Sequence, residues 1–281
     1  MNASIVNRRR GIRQRISLTT HKYIAILYVS IVNNLTYMVE VVFRSFFLII
    51  FVYIFLQLWT VTYASRNLSS LGGFRISDMI WYLAMTETIA LSLPQLTRQI
   101  DMEVRSGEIA YLLGRPCNYV MYRFAQYLGE RVVRLVMNTI VAGLIAFIFV
   151  GPPPFTWQGL AAWPLVLLFA ISIEYAIYFS VGLLAFWTEE TAPFSLIINR
   201  LAMILGGMLA PLEILPQPIR GIAQVLPFSA IYNGPAHVLI RFNLGQFGAL
   251  LLQQSITLAI SCAVLAAIYW LATRRVSING G

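Results

Sequence analysis

Residues 45–64 read SFFLIIFVYIFLQLWTVTYA, from Ser45 to Ala64, twenty positions without a charged side chain. A helix of that length measures about 30 Å, the thickness of a bilayer's hydrocarbon core. The rest of the chain is of similar composition. Of its 281 residues 59% are hydrophobic and 11% charged, against roughly a quarter charged in an ordinary soluble domain, and the mean hydropathy is +0.74. So few polar groups cannot cover a water-facing surface. A soluble globular enzyme, a disordered chain, a coiled coil and a disulfide scaffold are set aside on that ground. An all-α integral membrane protein follows, because a helix satisfies its own backbone hydrogen bonds in lipid.

On the N-terminal side, residues 1–23 form a basic tail with Arg8, Arg9, Arg10, Arg13, Arg15 and Lys22. It lacks the short apolar run and small-residue cleavage site of a signal peptide and reads as an uncleaved cytoplasmic tail. Residues 24–43 are two-faced. Ile24, Leu27, Tyr28, Ile31, Leu35, Met38 and Val42 recur at helical spacing, with Ser30, Asn33, Tyr37, Glu40 and Arg44 on the other side. The pattern predicts an amphipathic helix lying in the interface, with a first span carrying a polar internal face as the other reading.

On the C-terminal side the pattern predicts five further spans. A Ser/Gly-rich loop precedes a second span over 77–96, which contains Glu87, and a charged stretch follows over 97–117. The third helix runs over 118–150 and stops at Gly151-Pro152-Pro153-Pro154, since proline fixes φ and lacks an N–H. A fourth span over 160–187 contains Glu174, and a short fifth covers 194–210. Residues 211–245 hold Pro211, Pro216, Pro218, Pro227 and Pro235 yet stay apolar between them. That mixture predicts short broken, re-entrant helices, since irregular backbone at membrane depth must be buried in protein or face a cavity. The last span covers 247–271.

Six spans put both termini on one side. With that side cytoplasmic, all of the 20 basic residues except Arg66, Arg75, Arg220 and Arg241 fall inside, as the positive-inside rule requires. The net charge of +9 is then a matter of orientation and not of nucleic acid. Trp59, Trp81, Trp157, Trp163 and Trp187 lie near the span ends, an interfacial aromatic belt. Cys117 and Cys262 are far apart in sequence and make no ligand cluster. The only lysine is Lys22, so the chain holds no phosphate-binding loop of its own, and neither zinc-protease nor serine-hydrolase signatures occur. His21 and His237 are placed on opposite sides of the membrane, which argues against a shared zinc or catalytic site. No resident cofactor or metal is expected.

The informative stretch is 97–117. It contains Glu103-Val104-Arg105-Ser106-Gly107-Glu108-Ile109-Ala110-Tyr111-Leu112-Leu113-Gly114-Arg115-Pro116: an acidic residue, a glycine four later, a Leu-Leu pair and a proline. This resembles the segment after the second span in permeases of the ABC-2 type exporter family. The order of tail, interfacial helix, two spans, charged helix and four more spans also resembles that family, as does the proline-rich stretch before the last span. The spacing of Gly107 and Pro116 resembles the branch of multidrug and viologen exporters. The resemblance implies a multi-pass subunit of the plasma membrane, a bacterial inner membrane, with both termini cytoplasmic. It would pair with a second permease, identical or different, and be driven by a cytoplasmic ABC ATPase dimer that binds ATP and Mg. The ATPase would grip a coupling helix around Asp101 to Leu113. Met102, Ile109, Leu112 and Leu113 would supply an apolar knob, and Asp101, Glu103, Arg105 and Glu108 the flanking charges. Gly107 would permit close approach or a bend, and Pro116 would end the helix. Pro211, Pro216, Pro218 and Pro227 would belong to an outer gate.

A charge near the bilayer centre costs about 2.5–3.5 kcal/mol on insertion scales. Glu87, Glu174 and Arg200 are therefore candidate path residues. Each carboxylate either lines a route for a cationic substrate or pairs with an arginine, and Arg200 either snorkels or meets one of them. Glu130, Arg131 and Arg134 read as anchors at the cytoplasmic mouth of the third span. Two rival readings stand beside the exporter: an ion-driven secondary transporter using Glu87 and Glu174 as proton sites, and a membrane-embedded enzyme acting on lipid.

Overall fold

A computed structural model describes residues 20–36 and 38–279. Its described residues are almost all helix, without a strand. Residues 20–36 form α1. There follow α2 (Met38–Ser65), α3 (Ile76–Leu91), α4 (Leu96–Arg105), α5 (Glu108–Leu113), α6 (Tyr119–Val150) and α7 (Trp157–Leu183), and then α8 (Ala192–Leu205), α9 (Gln217–Val225), α10 (Pro227–Ile231), α11 (Asn233–Ile240) and α12 (Leu244–Asn279).

Four helical stretches are long and apolar enough to cross a membrane: Phe46–Ser65, Tyr119–Val150, Trp157–Phe186 and Leu244–Arg275. The protein is thus a multi-pass, all-α membrane protein. The other two expected spans are shorter. With 16 and 14 residues, α3 and α8 measure only about 24 and 21 Å. The chain turns at Ser92-Leu93-Pro94 and continues as α4, so the end of the expected 77–96 span belongs to a separate helix. Residues 38–43, expected to close the interfacial helix, belong to α2. The basic tail up to residue 19 lies outside the described residues.

Helix ends follow local chemistry. Asn118 caps α6, its Oδ1 accepting from the Met121 N–H at 3.0 Å, and Gly151 ends that helix at φ 85°. Thr156 caps α7 by accepting from the Gly159 N–H at 3.1 Å. Pro218 and Pro227 sit in the first turns of α9 and α10, and Pro216 is the residue before α9. There a missing N–H removes no helical bond. The prolines therefore divide 211–245 into three short helices.

Two side-chain clusters hold the bundle together. In one, α2, α3, α6 and α11 meet around Leu48, Met79, Leu83, Ala142 and Leu239. In the other, α7 packs on α4, α10 and α12 around Ile100, Ile171, Phe179, Ile231 and Leu265. Every residue of α3 from Met79 to Ile89 is buried. A helix this enclosed needs no solvent-facing polar face, and its polar residues Thr86, Glu87 and Thr88 are buried with the rest. Small residues permit the closest approaches. A Cβ at Gly182 on α7 would lie 2.8 Å from Ile100 Cβ on α4, and one at Gly129 on α6 would lie 2.6 Å from Ser30 Cβ on α1.

Candidate functional site

At one end of the bundle, α4 and α5 form a bent pair. Gly107 joins them at φ 75°, a left-handed conformation natural to glycine, so 97–117 is two helices and not one. The pair is anchored inward. Ile100 fits against Gly182, Thr97 donates its hydroxyl to the Tyr178 carbonyl at 3.0 Å, and Ile109 and Leu112 are buried. Its outer face is formed by Met102 and Tyr111, 51% and 67% exposed, together with exposed Arg105, Gly107, Glu108 and Pro116. Arg105 Nε is bonded to Asp101 Oδ2 at 3.0 Å, one turn away, and the Arg115 guanidinium lies 4.9 Å from the Tyr111 ring centroid.

This corrects the sequence reading of the segment. Of the expected apolar knob only Met102 is on the surface; Ile109 and Leu112 are core residues and Leu113 is half-buried. Tyr111, which the reading did not select, takes the exposed place. Glu103 is not a flanking surface charge either. It is buried, accepts the Tyr119 hydroxyl proton at 2.5 Å and is paired with Arg123, which ties α4 to α6.

The three membrane charges separate. Glu174 on α7 is fully buried and pairs with Arg131 on α6. Its oxygens also accept from the Tyr127 hydroxyl at 3.0 Å and the Tyr232 hydroxyl at 2.7 Å. Its partner is therefore not Arg200. Arg131, expected as an anchor at the helix mouth, has no exposed side-chain surface, because α6 is long and α7 covers that turn. The sequence does carry a signal for this lock: Tyr127 with Arg131, and Glu174 with Tyr178, each lie one helical turn apart on one face.

Glu87 and Arg200 do come together. Both line a cavity of about 570 Å³ walled by α2, α3, α6 and α8, with Phe47 and Phe51 on one side and Asn138, Asn199 and Tyr232 on others. Glu87 is 3% exposed and its Oε1 has no hydrogen-bond partner. Arg200 is exposed and makes no ion pair among the described residues. A third charged residue at the cavity, Arg134, is paired with Glu130 on its own helix and donates to the Leu93 carbonyl at 3.2 Å. Through Tyr232 the cavity touches the Glu174 lock, and Asn199 accepts from the Tyr178 hydroxyl.

The opposite end carries the prolines. Pro211 is buried and opens the turn Leu212–Ile214; Pro216 and Pro218 are exposed at the start of α9, and Pro227 is half-buried. Here Glu213 Oε1 lies 3.1 Å from His237 Nε2 on α11, and Arg241 reaches Asp78 at 3.4 Å across the face of Phe74. Burial pushes the Glu213 carboxyl up, but the bond to His237 and its charge outweigh this and hold it below the ordinary 4.5.

Among the described residues no group of His, Cys, Asp and Glu is arranged to hold a metal ion. Compared with known proteins, residues 47–280 match the family model described as ABC-2 family transporter protein. No curated protein matches the chain.

Proposed function

Because this chain belongs to the ABC-2 transporter family, and is thereby the transmembrane component of an ABC transporter, we propose that it is the permease subunit of an ATP-driven exporter. The observation that carries this reading is the α4–α5 pair, which offers Met102 and Tyr111 outward while Ile100 is fitted against Gly182 of α7. A force applied to such a pair passes directly into the helix that holds Glu174.

In this reading the α4–α5 end is cytoplasmic, as are both termini, and the membrane is the plasma membrane. A dimer of ABC ATPases binds ATP and Mg and takes hold of the exposed α4–α5 face of this chain and of a second permease. The chain itself holds no cofactor. Closure of the ATPases pushes α4 and α5, and the path between the permeases turns from inward to outward access. The cavity with Glu87 and Arg200 is part of that path, Glu174 is the strut behind it, and the segment from Pro211 to Pro227 contributes to the outer gate. Residues 20–36 rest against lipid with Ile24, Tyr28 and Val29, all more than half exposed.

The test is affinity purification of the tagged full chain from its native membranes. A stoichiometric ATPase, whose hydrolysis rises on reconstitution with the permease, is the expected result. Substrate movement driven by a pH gradient in vesicles free of ATPase would overturn the reading in favour of an ion-driven carrier.

A further inference from the structure

We propose that the cavity between α2, α3, α6 and α8 binds the headgroup of a zwitterionic amphiphile, a molecule with an ammonium and a phosphate or carboxylate beside an apolar chain. The proposal deepens the exporter reading by naming a substrate class, and it rests on that reading only for the further step of transport.

The argument starts from the charges. Glu87 has a buried oxygen without a partner at the cavity wall. A polar atom left so in an apolar interior is destabilising, and a donor on a bound molecule would recover that loss. Arg200 lines the same cavity and has no ion pair among the described residues. The remaining charged wall residue, Arg134, already has Glu130 as counter-ion. The wall thus presents one unmatched acid and one unmatched base. A purely cationic ligand answers Glu87 but meets Arg200 with like charge; a purely anionic ligand does the reverse. A ligand carrying both signs answers both.

The remaining walls fit the rest of such a molecule. Asn199, whose side-chain oxygen accepts from Tyr178, turns its amide N–H groups to the cavity for phosphate or carboxylate oxygens, while Phe51 and the 70% exposed Phe47 provide an apolar edge on α2. A volume of about 570 Å³ is within the range of small-molecule sites, roughly 300–1,000 Å³. It holds a headgroup and leaves the chain to run out along α2.

The experiment uses the full chain in nanodiscs, without ATP or ATPase, so that its outcome does not depend on the coupling reading. Three photoactivatable probes share one acyl chain: lysophosphatidylethanolamine, lysophosphatidylglycerol and an alkyl trimethylammonium. The zwitterion is expected to bind about tenfold tighter than either of the others, one charge-assisted bond's worth, and to crosslink to α2 and α8. Glu87→Gln should lower its affinity about tenfold and improve binding of the anionic probe. Arg200→Gln should lower it similarly and improve binding of the cationic one. Equal binding of the three probes by the unmodified chain, or crosslinks confined to other helices, overturns the proposal without recourse to any variant. If the zwitterion binds as expected here but a stoichiometric ATPase fails to co-purify with the chain, the binding site stands and the exporter reading fails.

Discussion

Arg131 Nη2 on α6 lies 2.7 Å from Glu174 Oε2 on α7, and neither side chain has any exposed surface. The pair is incompletely compensated: Glu174 accepts two tyrosine hydroxyls, whereas none of the three Arg131 guanidinium nitrogens makes a hydrogen bond beyond that ionic contact. Removing one member leaves a buried charge alone, which costs about 3–5 kcal/mol. Arg131→Met and Glu174→Gln should each lower the thermal unfolding temperature strongly. The double variant should lose clearly less than the sum of the two, because it leaves no unpaired charge. Additive losses in differential scanning fluorimetry would show that the two residues act independently.

The contact of α4 with α7 is set by the absence of a side chain at Gly182. Gly182→Ala places a Cβ 2.8 Å from Ile100 Cβ and should cost about 1–3 kcal/mol by overpacking. Ile100→Ala in the same chain keeps that Cβ but drops the Cδ1 and Cγ2 branches 3.1 and 3.2 Å away, so the double variant should lose less than the sum of the two single changes. In the exporter reading Gly182→Ala also lowers transport for each ATP hydrolysed, since it pushes the coupling pair away from its strut. Strictly additive losses would place the damage elsewhere.

The outer face of α4 and α5 can be altered without disturbing the core. Met102→Ala and Tyr111→Ala remove exposed side chains, and such changes shift stability by about 0.5 kcal/mol or less. Both should weaken co-purification of the ATPase while the melting temperature stays unchanged. Glu103→Arg is a poor probe of that surface, since Glu103 is buried against Tyr119 and Arg123; it should unfold the α4 anchor first. Undiminished ATPase recovery with both alanine variants would remove the contact role from this face.

Gly107 tests the bend alone. No atom lies within 4 Å of a Cβ built there, but its φ of 75° strains any L side chain. Gly107→Ala should therefore cost about 1 kcal/mol, and Gly107→Asn less, since asparagine enters the left-handed region more readily. ATPase stimulation should follow the same order, glycine above asparagine above alanine. A reversed order would mean that side-chain bulk, and not backbone conformation, matters at this position.

At the other end, His237 holds the Glu213 carboxyl below the ordinary 4.5. A depressed carboxyl contributes stability that is fully present above its unfolded value and is lost as pH falls through its folded value. The contribution of the Glu213 carboxylate to the tie between the Leu212–Ile214 turn and α11 should thus be present above about pH 4.5 and be lost below it. Glu213→Gln should flatten the acid limb of a melting-temperature profile between neutral pH and about pH 3. A variant profile that falls as steeply as that of the unmodified chain would exclude this pair as its source.

Helical periodicity and charge spacing made much of the architecture legible. The uncharged run from Ser45 to Ala64 lies within α2, the stop at Gly151 lies where α6 ends, and the prolines between 211 and 235 mark out short helices. These are local effects of chain length in lipid, missing N–H groups and capping, and they need no knowledge of neighbours. Which member of the charged stretch faces outward was not legible. Met102, Ile109 and Leu112 are equally apolar in sequence, and only the packing of α5 into the core cluster after the bend at Gly107 sets Ile109 and Leu112 inward.

By itself the sequence determined that this is a helical membrane protein, where its basic residues concentrate, and which segment resembles an exporter permease. Only the tertiary structure decided the pairings. Glu174 was expected to line a path or to pair with an arginine such as Arg200, and it meets Arg131 because α7 covers that turn of α6. Glu87 and Arg200, 113 positions apart, come to share one cavity because α3 and α8 are both walls of it. The reason is physical: periodicity fixes the face of a helix on which a residue sits, whereas its partner depends on which other helix packs there, and in a bundle that choice is made by long-range packing.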